Sequence, residues 1–137
     1  MKAPPDPIRV VMAKPGLDSH FRGLMTVSRY LASQGMEVVY LGNQTPEAIV
    51  RSTIEEHADV LGISSLSGNH LTTIPPITQG LRLQGAADIV IVVGGIVPAP
   101  DAEVLHRACV HHVFTPGSRL EDVSENLRAE VTTRRTR

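Results

Sequence analysis

Little in this chain is aromatic: Phe, Tyr and Trp make up 3% of 137 residues, and tryptophan is absent. That excludes the stacking platforms on which single-stranded nucleic acid is held and leaves Val, Ile, Leu and Ala to build the core. Cysteine is as scarce. Cys109 stands alone, so no internal disulfide can form and a reducing compartment is expected. No apolar run approaches the ~18 residues of a membrane span, and the opening "MKAPPDP" lacks the apolar stretch of a secretion signal. Charge of neither sign prevails. A formal net charge of −1 gives no reason to expect nucleic acid as the main partner. What remains, 42% hydrophobic and 20% charged, is the composition of a cytoplasmic globular domain without membrane attachment.

Four apolar, β-branched runs are present: "IRVVMA" (8–13), "MEVVYLG" (36–42), "ADVLGISS" (58–65) and "ADIVIVVGG" (87–95), with a weaker fifth, "HHVFT" (111–115). Strands apolar on both faces belong in a buried parallel sheet. Helical segments lie between them. Leu24, Val27 and Leu31 recur at helical spacing, with Gly35 as the stop. Thr45-Pro46-Glu47 reads as a helix start, and Ile49, Val50, Thr53 and Ile54 form that helix's inward face. The segment "HLTTIPPITQGLRLQG" contains Pro75-Pro76 and is expected to be broken or to begin late. Residues 101–108 and 119–131 supply the last two helices. Five strand–helix alternations predict an open α/β sheet, flavodoxin-like, with helices on both faces. The expected organisation is an N-terminal tail of residues 1–7, one domain over 8–131, and a solvated basic tail over 132–137.

In such sheets ligands sit over the carboxyl ends of the strands. There the chain places Asp18-Ser19-His20-Phe21-Arg22-Gly23, Ser64-Ser65-Leu66-Ser67, Gly94-Gly95-Ile96 and Phe114-Thr115-Pro116-Gly117-Ser118. Glycines and hydroxyls at this edge suit close approach of backbone to a large ligand. The first turn carries neither a dinucleotide nor a P-loop fingerprint. A phosphoacceptor receiver domain needs an aspartate at the end of the third strand, where Ser64 and Ser65 stand. His20 has Asp18 two residues before it, able to orient the ring, and Lys14 four residues before that, able to hold Asp18 ionised. One histidine cannot build a zinc site, and the other five show no ligand pattern. A lone histidine ligand makes best sense for a metal that arrives already chelated in a macrocycle.

Asp18-x-His20-x-x-Gly23, Ser64-x-Leu66 and Gly94-Gly95 together resemble the D-x-H-x-x-G, S-x-L and G-G signatures of the cobalamin-binding domain, from about Ile8 to about Val131. Within that family "VVMAKPGLDSHFRG", "QTPEAIV", "LSGNH" and "VFTPGSR" look most like the acyl-CoA mutases. The length is similar to small subunits of the isobutyryl-CoA or 2-hydroxyisobutyryl-CoA mutase type; methylmalonyl-CoA mutase carries a similar domain at its C-terminus. The resemblance implies adenosylcobalamin as cofactor, with His20 as lower axial ligand to cobalt and Asp18 and Lys14 as the relay behind it. The displaced nucleotide tail would enter a slot lined by Ser64, Leu66 and Ser67, given space by Gly94, Gly95 and Ile96, and closed by Phe114, Thr115, Gly117 and Ser118. Ser19, Phe21, Arg22 and Gly23 complete the cofactor loop.

The resemblance also implies that carbon-skeleton isomerisation of a short branched acyl-CoA takes place on a separate large (β/α)₈-barrel subunit. The chain alone would then bind cofactor and turn over nothing. Its uncovered corrin-facing surface offers a route to a homodimer when that partner is missing. Two positions depart from the family pattern, which has glycine between Asp and His and a polar residue after His; here they are Ser19 and Phe21. The alternatives are a corrinoid domain for methyl transfer, which usually has a helical cap before the first strand, and a glutamate mutase-type small subunit, whose loop after S-x-L differs. A cobalamin photoreceptor would want further domains. Outside cobalamin chemistry, the alternative is an α/β interaction module whose polar strand ends merely cap helices.

Overall fold

The computed structural model describes residues 6–15, 22–65, 70–115 and 117–136. Along the chain run β1 (Arg9–Pro15), α1 (Arg22–Ser33), β2 (Glu37–Gln44), α2 (Pro46–Glu55), β3 (Val60–Ser65), α3 (His70–Leu83), β4 (Val90–Gly95), α4 (Ala99–Arg107), β5 (His112–Phe114) and α5 (Leu120–Arg135). All strand pairs are parallel, in the order β2-β1-β3-β4-β5. This is the flavodoxin-like order, and its switch point lies between β1 and β3.

Alternation within each strand divides the core. Val11, Ala13, Leu61, Ile63, Ile91 and Val93 face α2, α3 and α4, where Ile49, Ile74, Ile77, Leu81 and Leu105 meet them. Val10, Met12, Val60, Val90 and Val92 face the other way, towards Leu24 and Leu31 of α1 and Val123, Leu127 and Val131 of α5. Successive strand residues therefore serve opposite layers, which is why each strand is apolar throughout.

The helix ends follow local chemistry. Gly35, at φ +88, lets the chain leave α1 in the left-handed conformation; Met36 N–H then reaches Leu31 O and Gly35 N–H reaches Ala32 O. Thr45 caps α2 by accepting from Ala48 N–H at 3.2 Å, with Pro46 in the first turn.

Two expectations change. α3 is one continuous helix from His70 through Pro75 and Pro76. Its buried face, Ile74, Ile77, Thr78 and Leu81, holds it against the sheet, and the prolines stand on the outward side, where missing amide donors cost least. Tertiary packing here overrides propensity. At the C-terminus, α5 continues to Arg135, so residues 132–135 are helical rather than a loose tail. Arg135 donates to Asp6 O at 2.7 Å and to Pro7 O, and pairs with Asp59 at 3.1 Å. Arg134 pairs with Glu130 at 2.6 Å.

Among the described residues, no helix is long and apolar enough to cross a membrane.

Candidate functional site

At the carboxyl edge the β3–β4 ladder ends in Ser64 opposite Gly94 and Ser65 opposite Gly95. Gly95 has φ +151, and a Cβ there would stand 2.0 Å from the Ser65 carbonyl oxygen; only glycine permits this pairing. Gly94 is different. A Cβ there would find its nearest neighbour, Phe114 O, at 3.9 Å, so the bare backbone leaves space rather than avoiding a clash. In mid-strand, a Cβ at Gly62 would lie 2.5 Å from Met12 Sδ.

These bare positions open onto a cleft of about 570 Å³ between the sheet and the α1/α5 layer, well within the size range of small-molecule and cofactor sites. It starts at Ser64, Gly94, Gly95, Thr115 and Ser118 and reaches down to Val10, Leu31 and Leu127. Met12, Gly62 and Val92 form its floor on the sheet. Gly23, Leu24, Thr26 and Val27 form one wall, and Leu120, Val123 and Phe114 the other. Among the described residues the lining is mainly apolar, with hydroxyls at Thr26 and at the strand-end edge. Such a cavity suits a flat or elongated apolar group attached to something polar that stays at the edge.

The expected site residues do not all meet at the cleft. Gly23, Ser64, Gly94, Gly95, Phe114, Thr115 and Ser118, from four separate segments, all line the cleft. The turn before α5 is closed by Ser118 N–H donating to Thr115 O at 2.9 Å. Ile96 is 67% exposed and lies outside the lining, as does Gly117. Lys14, near the end of β1 and in register with Asn43, is wholly buried and engaged by other groups. Asp18, Ser19, His20, Phe21, Leu66 and Ser67 lie outside the described residues; Arg22 contributes the first residue of α1. Among the described residues no three His, Cys, Asp or Glu side chains gather into a metal site.

The deep lining escaped sequence reasoning. Its signals were Gly62 within an otherwise apolar strand, which marks close approach, and the 10/12, 62/64 and 92/94 alternation onto one face.

Beside the cleft, an ionic cluster ties α5 to β5. His112 Nε2 lies 3.0 Å from Glu130 Oε1, and Glu130 Oε2 takes Arg134 Nη1. Burial pushes the Glu130 carboxyl up, but hydrogen bonds from Arg134 and His112 outweigh it and hold the group below its ordinary value. His111 Nδ1 accepts Ile91 N–H at 2.9 Å, while its Nε2 faces Arg134 Nη2 at 2.7 Å. Burial, and then the Arg134 charge, push the His111 imidazolium below its ordinary value.

A doubly wound parallel sheet with a deep ligand cleft at its carboxyl edge is therefore the class defined by the geometry. The chain belongs to the B12-binding domain family, whose model matches residues 8–123, and its relatives include acyl-CoA mutase small subunits. It is 40% identical to the 2-hydroxyisobutanoyl-CoA mutase small subunit of Aquincola tertiaricarbonis, over 96% of this chain and 97% of that one. It is 43% identical to the pivalyl-CoA mutase small subunit of Xanthobacter autotrophicus, over 90% of this chain and 83% of that one. The methylmalonyl-CoA mutase large subunit of Streptomyces virginiae is 38% identical over 87% of this chain, which spans only 16% of that protein. In fold, the chain is similar to a cobalamin-binding protein from Desulfitobacterium hafniense (TM-score 0.75, 21% identity, 90% of this chain and 58% of that one). A receiver domain of NarL from Mycobacterium tuberculosis is similar too (TM-score 0.72, 14% identity, 93% and 98%). The shared architecture thus does not separate these two functions, but Ser64 and Ser65 stand where a receiver would need its aspartate.

Proposed function

We propose that the chain carries adenosylcobalamin for an acyl-CoA mutase and acts with a separate large subunit that binds the acyl-CoA. The carrying observation is the glycine-edged cleft running from the carboxyl edge of β3 and β4 deep under α1 and α5. Its shape and lining fit the nucleotide tail of a base-off corrinoid. An apolar benzimidazole would go to the deep end near Val10 and Leu127, with the ribose and phosphate near Ser64, Thr115 and Ser118.

In this reading His20 would be the protein ligand to cobalt, Asp18 would orient its ring, and Lys14 would pair with Asp18. Burial of Lys14 supports that role, since a buried ammonium requires acceptors. When bound, adenosylcobalamin would supply the radical chemistry. The residues of this chain hold and orient: Ser64 and Ser118 offer hydroxyls at the cleft mouth, Gly94 leaves room for the tail, and the apolar floor excludes water. The large subunit would be a (β/α)₈ barrel enclosing a short branched acyl-CoA, and the pair would work in the cytoplasm. The domain would span residues 8–131.

Titration of the purified chain with adenosylcobalamin, followed by visible absorption, tests this. Saturable conversion to the base-off spectrum is expected. The cobalt(II) form should show electron paramagnetic coupling to one labelled histidine nitrogen, and His20→Ala should remove it. Persistence of that coupling in the variant would overturn the ligand assignment. Acyl-CoA isomerisation by the chain alone would overturn the division between subunits.

A further inference from the structure

Phe114 is a half-buried part of the cleft wall, packed on the apolar cluster of the α1/α5 layer. It ends β5, a strand of three residues at the sheet edge, beside β4. Every residue of β5 is only half-buried. Across the ladder, Phe114 pairs with Gly94, which offers it no side chain. A cross-strand neighbour is what normally fixes an aromatic ring on a sheet. The glycine that gives the cleft its space therefore also removes the lateral support of the ring beside it.

Beyond the apolar cluster on which the ring packs, further support comes from along the strand. His112, two residues earlier and on the same face, stacks on Phe114 with ring centroids 5.8 Å apart and planes 24° from parallel. His112 is held in turn by Glu130, which is held by Arg134, whose side chain is only 16% exposed. The chain of contacts runs from the last turns of α5 to the cleft wall, and none of its first three members lines the cleft.

We propose that His112, clamped by Glu130, is a positioning residue. It fixes the Phe114 ring as the wall against which the ligand's tail packs, and so sets affinity for the tail without touching it. This inference rests on the reading of the cleft as the tail slot. Neither His112 nor Glu130 belongs to the motifs that carry the family resemblance.

The chain contains two phenylalanines, Phe21 and Phe114, so fluorophenylalanine labelling gives two ¹⁹F resonances, assigned by Phe21→Leu. In His112→Ala the Phe114 resonance should shift and narrow as the ring is released. Affinity for cobalamin should fall about two- to tenfold, the range of one stacked aromatic pair. Affinity for cobinamide, the corrin without its nucleotide tail, should not change, which also shows that the variant is folded. His112→Phe, which keeps a ring at this position but loses the bond to Glu130, should restore the cobalamin-to-cobinamide ratio in part.

An unchanged ratio in His112→Ala, equal loss of both ligands, or failure of His112→Phe to rescue would each overturn the proposal. Wild-type chain that does not prefer cobalamin to cobinamide would overturn the tail slot itself. The fluorine signal would still report, independently, whether His112 holds the ring.

Discussion

Gly94 and Gly95 are adjacent in sequence, yet the structure gives them opposite tasks, and alanine at each should separate them. At Gly95 the new Cβ would stand 2.0 Å from the Ser65 carbonyl oxygen, against roughly 3.3 Å for a tolerable carbon–oxygen contact. Both atoms belong to a paired ladder, so relief requires the ends of β3 and β4 to part by about 1.3 Å. That would stretch ladder hydrogen bonds from about 2.9 Å to beyond the ~3.5 Å at which they cease to count. Losing two such bonds at about 1 kcal/mol each, with about 1 kcal/mol for alanine at an unfavourable positive φ, gives a destabilisation of about 3 kcal/mol. For a domain of this size that lowers the melting temperature by about 10 °C.

Gly94→Ala meets nothing nearer than 3.9 Å and should leave stability within about 0.5 kcal/mol. Its methyl, however, projects into the cleft and should weaken cobalamin binding about tenfold, the effect of a misfit of order one methyl or more. Thermal and urea unfolding followed by circular dichroism, together with a cobalamin titration, read both effects. Similar melting temperatures for the two variants would refute the reasoning, because the steric difference between the sites would then have no energetic weight.

Acid should weaken the fold through His111. Its folded-state pKa lies below 6.5, so the unfolded chain binds a proton that the fold refuses. The stability present above pH 6.5 is then lost as pH falls through the interval below it. His111→Asn keeps an acceptor for Ile91 N–H and removes the titration; urea midpoints at pH 7.5 and 5.5 should differ less in the variant than in the wild type, and an equal difference would sink the assignment. Glu130, with its pKa held below 4.5, acts in the same direction but only at lower pH. Arg135→Ala removes the contacts to Asp6 O, Pro7 O and Asp59. It should cost at most about 1 kcal/mol, since the pair is partly exposed, yet speed amide exchange at Ile8 and Arg9; unchanged exchange there would show that the clamp holds nothing.

The architecture was legible because each strand is apolar on both faces and each helix on one, and because Gly35 and Thr45 have single physical uses at helix ends. The prolines of α3 misled because propensity is local, whereas Ile74, Ile77 and Leu81 draw their support from the sheet. The basic end misled similarly: Arg134 and Arg135 look solvated until their partners, 4 and 76 residues away, are in place. The rim of the cleft could be read from glycines and hydroxyls at strand ends. Its depth could not. Leu31, Val123 and Leu127 carry an ordinary inward-facing pattern, and only the spacing between layers decides whether such side chains meet the sheet or a cavity.

That cavity also bears on how long the chain survives. The layer of α2, α3 and α4 is packed against its side of the sheet, whereas α1 and α5 rest on theirs around an opening of about 570 Å³. The helices least supported by packing are the first to open and the first that a protease can reach. A ligand that fills the opening adds apolar burial to that layer at about 25 cal/mol per Å² and stabilises the chain in proportion to the logarithm of its free concentration. Turnover of the chain would then follow the supply of its ligand: starved cells would degrade it, and replete cells would accumulate it, without any change in its synthesis.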